Sequence, residues 1–253
     1  MKIYAAMDRG LGKEVCEDEV LLGHTILSEG EMSWNPRDDK FFLAIADGVG
    51  GNHGGANASF FVLEKIRNDA KDSFNAILLE EFLKGCNKDL IRYASKVPEC
   101  ENMATTLTGL LFDNKNTFLF HVGNTRACAL NGSFLRQLTE DHTNVSSMVS
   151  MGLLTKEEAL KRPDANVINS CFGNADENYA SKLTVKDISE EIGTKKPLIL
   201  TSDGIHDYLS EDEMEEILSV ELSVPQKLRI LIEKSRDKGS VDDISVIWVE
   251  RDS

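Results

Sequence analysis

A chain of 253 residues with 41% hydrophobic and 28% charged residues has the composition of a soluble globular protein of one or two domains. The net charge of −15 argues against nucleic acid and anionic membranes as partners, because their phosphates would be repelled. The opening MKIYAAMDRG does not resemble a signal peptide, and no apolar run approaches the roughly 20 residues of a membrane helix. We therefore expect a cytoplasmic protein.

The cysteine pattern supports the same compartment. The chain has five cysteines, which are scattered and free of CxxC pairs: Cys16, Cys86, Cys100, Cys128 and Cys171. Reduced thiols fit this pattern better than a disulfide framework or a zinc site.

Hydrophobic periodicity predicts strands and then two helices in the first part of the chain. The segments KIYAAMD and EVLLGHTIL are typical of short strands, and KFFLAIAD is typical of a buried one. A polar loop over 28–39 separates them. Two amphipathic helices are predicted over 56–70 and 74–95.

Strands dominate the middle of the chain, and helices return near its end. TTLTGLLFD, NTFLFHVG and TRACALNGSFLRQLT are predicted to be consecutive strands, with a hairpin at Asn131-Gly132. TKEEAL begins with a capping box. After the buried strand KPLILTSDG come two helices, SEDEMEEIL and PQKLRILIEKSRD, and a last strand, DISVIWVE.

The order of these elements predicts the fold class. The helices occur in pairs instead of alternating with each strand, and no internal repeat is visible. This order favours antiparallel sheets covered by helix pairs, an α+β sandwich, over a doubly wound parallel sheet.

Acidic residues stand where four predicted strands begin or end. They are Glu17-Asp18, Asp47-Gly48, Asp203-Gly204 and Asp242-Asp243. A single Asp-Gly pair is more typical of a turn. Four such sites could instead converge at one edge of the stacked sheets, where carboxylates repel unless they share protons or cations. Oxygen ligands select hard cations such as Mg²⁺ or Mn²⁺, and the carbonyl oxygen of Gly48 could be one more ligand.

The motifs, taken together, resemble those of the metal-dependent serine/threonine protein phosphatases of type 2C, the PPM family, in their short bacterial form. The motifs are GLGKEVCED, ADGVGG, MATTLTGLLFD, VGNTRACAL with LTEDHT, TSDGIHD and DDISVI. Each motif alone has low specificity, but their order and spacing along nearly the whole chain match the family.

The resemblance implies an αββα sandwich forming one domain over 1–253, with a flap-like segment within about 141–179. It also implies a site for two metal ions at one edge of the sheets. Asp47 would bridge the ions, and Asp203 and Asp242 would hold one of them. Glu17, Asp18 and the carbonyl of Gly48 would serve the other ion, directly or through water.

The implied reaction is hydrolysis of phosphoserine and phosphothreonine in proteins, by a water activated between two Mn²⁺ or Mg²⁺ ions. Asp47, Asp203 and Asp242 would be the catalytic residues, and Lys13 would bind the substrate phosphate. The implied partners are phosphorylated proteins, targets of a Ser/Thr kinase, and the protein would act as a monomer.

Three departures from the family pattern leave an alternative open. Lys13 replaces the usual phosphate-binding arginine, Asn124 replaces an aspartate tied to a third metal ion, and Asp243 replaces an asparagine. A third ion is therefore not expected. The swapped pair Asn52-His53 is interpreted as part of a loop. A pseudophosphatase, the same fold used as a regulatory or binding module, is the alternative that Lys13 and Asn124 favour.

Overall fold

The structure, a computed structural model, describes residues 1–49, 53–70, 73–97, 103–159, 162–174, 181–193 and 195–251, without the side chains of residues 53 and 156. The strands are β1 (Lys2–Asp8), β2 (Asp18–Leu22), β3 (Thr25–Leu27), β4 (Gly30–Trp34), β5 (Lys40–Val49), β6 (Ala104–Thr105), β7 (Leu107–Asp113), β8 (Asn116–Val122), β9 (Arg126–Asn131), β10 (Phe134–Gln137), β11 (Thr184–Asp187), β12 (Leu198–Thr201) and β13 (Ile244–Glu250). The helices are α1 (His53–Asp69), α2 (Ala76–Ala94), α3 (Asn144–Ser150), α4 (Lys156–Ala159), α5 (Ser189–Ile192), α6 (Asp203–His206), α7 (Glu211–Ser219) and α8 (Val224–Asp237).

The strands form two sheets in which neighbouring strands are antiparallel. One sheet has the order β10-β9-β12-β13-β1-β4, and the other has the order β11-β8-β7-β5-β2-β3, with β6 beside β5. In the first sheet β1 pairs with β13 along its whole length. The α+β sandwich of two antiparallel sheets predicted from the order of elements is confirmed.

Three apolar cores separate four layers. On β5, Leu43 and Ile45 face the core between the sheets, whereas Ala44 and Ala46 face the core beneath α1 and α2. A third core lies between the other sheet and the helices α7 and α8. Because β5 is covered on both faces, its sequence is a continuous apolar run and not an alternating one. This strand delivers Asp47 to the edge of the sandwich.

Local signals fix several element ends as predicted. Ser210 and Glu213 form a capping box at the start of α7, and Thr155 and Glu158 exchange hydrogen bonds in the same way before α4. Pro225 lies in the first turn of α8. The hairpin at Asn131-Gly132 is present between β9 and β10, with Gly132 at φ +69°.

Two predictions about the N-terminal region are wrong. EVLLGHTIL is not one strand, because Gly23, at φ +60°, turns the chain between β2 and β3. The polar loop over 28–39 contains β4, which pairs with β1 at the edge of its sheet. An edge strand with exposed side chains lacks the apolar pattern that periodicity detects.

The helices and the cysteines of the described residues can be compared with the predictions. None of its helices combines the length and the hydropathy needed to span a bilayer. Four of the five cysteines are described there, and all four are free thiols: Cys16, Cys86, Cys128 and Cys171. Cys100 lies outside the described residues.

Candidate active site

The fold brings the acidic strand ends to one edge of the sandwich. Asp18 on β2 stands directly opposite Asp47 on β5 in the antiparallel register. Asp203 opens α6 just after β12, and Asp242 precedes β13, the neighbour of β12. Since β12 and β13 belong to one sheet and β2 and β5 to the other, the site lies between the two sheets.

Burial and neighbouring charges make three of these carboxylates hard to ionise. Burial, with the charges of Asp203, Asp18 and Asp242, raises the pKa of Asp47 well above its usual range. Burial and the Asp242 charge raise the pKa of Asp203 to about 6, and burial raises that of Asp18 to about 8. Each of these groups is therefore costly to ionise beside the others, and a bound cation would offset that cost.

Two serines that the sequence did not single out hold Asp18. The hydroxyl of Ser245 donates to Asp18 Oδ2 at 2.6 Å, and the Ser245 N–H donates to Ser202 Oγ at 2.9 Å. All three residues are buried. This chain of hydrogen bonds connects β2 of one sheet with β12 and β13 of the other. No motif signal could have identified the serines, because their role comes from the stacking of the sheets.

Lys13 lies among the carboxylates. Its Nζ is 2.7 Å from Asp242 Oδ1, 2.8 Å from Asp243 Oδ2 and 3.2 Å from Glu17 Oε2. Burial alone would lower the pKa of Lys13, but its hydrogen bonds to Asp242 and Asp243 raise it above its usual range. The ammonium is therefore fully charged and contacts two of the residues expected to hold metal.

Asp243 anchors the loop that carries Lys13. Its carboxylate accepts hydrogen bonds from the N–H of Gly10 at 2.6 Å and of Glu17 at 2.8 Å. The residue is only 1% exposed. A buried carboxylate is stable when donors and a counter-ion surround it, and here Lys13 is that counter-ion. Asp243 is thus a structural support of the site that the sequence treated only as a departure from a motif.

Oxygen atoms of Glu17 and Gly48 lie beside the first turn of α1. Glu17 Oε1 is buried and has no hydrogen-bond partner among the described residues. A Cβ placed on Gly55 would lie 2.5 Å from this oxygen and 3.0 Å from the carbonyl oxygen of Gly48. The absence of a side chain at Gly55 therefore leaves space beside both oxygens. A carboxylate oxygen and a carbonyl oxygen side by side suit a hard cation, so the residues fit Mg²⁺ or Mn²⁺.

The carboxylates do not surround a single point. Within the described ranges, no three His, Cys, Asp or Glu side chains are grouped closely enough to hold an ion between them. Asp242, with its side chain 47% exposed, lies at the rim and is turned toward Lys13. Metal binding as the resemblance implies it therefore requires side chains at the rim to move.

Asn124 touches the cluster through its amide. Its Nδ2 donates to Asp203 Oδ2 at 2.9 Å, and the residue is buried. The donated hydrogen bond lowers the pKa of Asp203 and so opposes the effect of burial. In this chain Asn124 orients Asp203.

Other residues named from the sequence lie in supporting positions. Arg126 pairs with Asp141, with Nη2 2.6 Å from Oδ2. His142 Nδ1 accepts a hydrogen bond from the N–H of Gly123 at 3.1 Å. Asn52 and the side chain of His53 lie outside the described residues, as do 160–161 and 175–179 of the flap-like segment.

Residues 14–228 match the family model described as Protein phosphatase 2C. The serine/threonine phosphatase stp of Listeria monocytogenes is 30% identical over 223 residues, which cover 85% of this chain and 86% of the relative.

Two solved structures of the phosphatase PstP share the fold of this chain. The serine/threonine phosphatase PstP/Ppp of Mycobacterium tuberculosis is 27% identical, with a TM-score of 0.81 and full coverage of both chains. The catalytic domain of PstP in complex with two manganese ions is 26% identical, with a TM-score of 0.76 and 99% coverage of both chains.

Proposed function

Since this chain belongs to the protein phosphatase 2C family, we propose that it hydrolyses phosphoserine and phosphothreonine in proteins with the aid of Mn²⁺ or Mg²⁺. The observation that carries the proposal is the group of carboxylates between the two sheets, where Asp18 is buried, Asp47 and Asp203 are half-buried and Asp242 lies at the rim. Burial and the neighbouring carboxylates raise the pKa of Asp47 and of Asp203, so these two groups are costly to ionise together. A site of this kind takes cations, and phosphoryl transfer needs positive charge near phosphorus.

The metal ligands are proposed residue by residue. Asp47, Asp203 and Asp242 would hold one ion, with Asp47 shared between the two. Glu17, Asp18 and the carbonyl of Gly48 would hold the other, directly or through water. When bound, the ions would supply a water of lowered pKa and offset the charge of the phosphoryl oxygens.

The protein residues have their own tasks in this scheme. Asn124 donates a hydrogen bond to Asp203 and Ser245 donates one to Asp18, and these bonds hold the two carboxylates in place. Asp243 fixes the loop 10–17 against the last strand. Lys13 supplies a cation that can contact the substrate phosphate at the rim.

Phosphate release from a phosphothreonine peptide, with and without Mn²⁺, tests the proposed function. We expect release that depends on the metal and is abolished by a chelator. A folded protein without release in saturating Mn²⁺ would favour the pseudophosphatase instead. Glu80→Gln is a suitable control, because Glu80 is paired with Lys84 on the exposed surface of α2 and should not alter turnover.

Membership of the family also supports proposals about the substrates, the oligomeric state, the compartment and the flap. The substrates are proteins phosphorylated by a Ser/Thr kinase, and the enzyme works as a monomer in the cytoplasm. Residues 1–253 form one domain, and the segment within 141–179 acts as a flap beside the site. Solution scattering at several concentrations would test the monomer.

Lys13→Ala should lower kcat/KM by roughly one to two decades, the scale of one charged hydrogen bond to phosphate. The effect should fall mainly on KM, because the carboxylates that hold metal are unchanged. Lys13→Arg retains the charge and should preserve kcat/KM or raise it. Steady-state kinetics on one phosphopeptide gives all three values. Equal kinetics of the alanine variant and the unmodified protein would rule out a phosphate contact.

Asn124→Asp should create a third cation site. In the unmodified protein we expect two tightly held ions and no third at low millimolar metal, because the amide of Asn124 donates to Asp203 and brings no negative charge. The aspartate variant would face Asp203 with a second carboxylate, so it should bind one further ion and lose stability when metal is removed. Calorimetric stoichiometry is the measurement. Three tight ions in the unmodified protein would contradict the prediction.

A further inference from the structure

We propose that Lys13 is a tethered competitor of the metal ions, which must displace its ammonium from Glu17 and Asp242 and thereby release it to the substrate phosphate. Metal loading and phosphate capture are then coupled through one side chain. The inference rests on the proposed function, because it uses the same carboxylates and the same phosphate.

The contacts of Lys13 carry the competition. Its ammonium is within 2.7 Å of Asp242 and 3.2 Å of Glu17, and both are oxygen donors proposed to hold the ions. Lys13 contacts Glu17 Oε2 and Asp242 Oδ1, and a divalent cation held by the same two carboxylates would repel its ammonium. Each cation weakens the binding of the other, so binding of the divalent ion favours release of the ammonium.

Asp243 keeps the released lysine near the site. Its carboxylate contacts Lys13 Nζ at 2.8 Å and is held by the backbone N–H groups of Gly10 and Glu17. Asp243 is not among the proposed ligands, so a metal ion leaves this contact intact. The ammonium therefore retains one fixed partner while it turns away from the other two.

The stem of Lys13 is also confined. A Cβ on Gly10 would lie 2.8 Å from Lys13 Cδ, so the aliphatic part of the side chain packs against the backbone of Gly10. Movement is then confined to the last bonds of the Lys13 side chain, near its ammonium group. The side chain is 29% exposed at the rim. A small rotation is enough for the ammonium to leave one carboxylate for another partner. Lysine binds as a point charge, so it does not have to break a bidentate pair as arginine would.

The direct test labels amines. The purified protein, without substrate, is treated briefly with an amine-acylating reagent in the presence or absence of Mg²⁺, and modification of each lysine is measured by mass spectrometry. An ammonium shared by three carboxylates reacts slowly, so Mg²⁺ should raise labelling of Lys13 about threefold or more. Lys84, which pairs with Glu80 on α2, should not change and serves as the internal control. Labelling of Lys13 that falls or stays constant on adding Mg²⁺ would overturn the exchange.

A second test measures metal affinity by calorimetry with Mn²⁺ alone. Lys13→Met should bind Mn²⁺ at least about tenfold more tightly than the unmodified protein, because the competitor is gone. Lys84→Met removes the same charge from the surface and should leave the affinity unchanged. A folded Lys13→Met variant with unchanged or weaker affinity contradicts the proposal. If that variant does not fold, labelling of the unmodified protein decides.

The two proposals can fail separately. A protein that hydrolyses the phosphopeptide with Mn²⁺ but shows no gain in Lys13 labelling keeps its proposed function and loses the exchange. A protein that binds Mn²⁺ and exposes Lys13 without phosphate release loses the phosphatase activity, and the competition between Lys13 and the metal stands.

Discussion

Asp203→Asn will reduce metal-dependent phosphate release by roughly three orders of magnitude, the scale of losing a charged ligand at a catalytic metal site. Asparagine is nearly isosteric with aspartate, so the packing at the start of α6 should survive. The variant loses one negative charge from a group whose pKa burial already raises to about 6. In the metal-free protein that charge is unfavourable at neutral pH, so the variant should be more heat-stable than the unmodified protein when a chelator is present.

The loss of activity and the gain of metal-free stability have opposite signs, which distinguishes a metal ligand from a residue needed for folding. A residue needed only for folding would lower activity and stability together. Here activity should fall while metal-free stability rises, as measured by phosphate release and by thermal unfolding in chelator. Asp212→Asn, at an exposed position in the first turn of α7, is the control for the change of charge. Unchanged turnover of Asp203→Asn would reject Asp203 as a ligand.

Gly55→Ala will also abolish most of the metal-dependent activity, by a steric route. The new Cβ would lie 2.5 Å from Glu17 Oε1 and 2.9 Å from the carbonyl carbon of Gly48, so Glu17 or the backbone must shift. Both are proposed to provide ligands for the same ion. We expect the affinity for Mn²⁺ to fall by roughly tenfold or more, because even one lost charged contact has that effect.

Gly54 offers a matched control one residue earlier. A Cβ on Gly54 meets no atom within 4 Å, so Gly54→Ala should bind Mn²⁺ and turn over substrate like the unmodified protein. Both glycines lie in the first turn of α1, and alanine favours a helix equally at either position. A difference between the two variants therefore reports on the space beside Glu17 and not on helix propensity. Equal Mn²⁺ affinity in both would contradict the prediction.

The sequence predicted the fold because the buried strands carry strong local signals. β5 contains a continuous apolar run that leads into Asp47, and the paired helices after it favour the layered α+β arrangement that the structure shows. β4 was not predicted, because an edge strand with exposed side chains lacks the alternating apolar residues that indicate a strand. The short helices α3 and α6 were missed as well, because one or two turns are too short for a periodic pattern.

For the site, the sequence predicted the acids but not what holds them. Asp47 and Asp203 stand out because each closely follows an apolar run and directly precedes a glycine. The role of Asp243 depends on backbone N–H groups that every residue possesses, and that of Ser245 depends on the stacking of two sheets. Such roles leave no residue pattern in the sequence. Lys13 was predicted to contact phosphate, and its contacts with three carboxylates became visible only in three dimensions.

The hydrogen bond from the N–H of Glu17 to Asp243 joins residues that are 226 positions apart in the chain. This separation determines how long the ribosome needs before the bond can form. A ribosome adds about 5 to 20 residues per second, so roughly 10 to 45 seconds pass between the synthesis of the two partners. During that interval the loop that carries Lys13 lacks its contacts with Asp242 and Asp243. The loop that carries Lys13 can therefore reach its final contacts only after the last strand has been made and has joined β1.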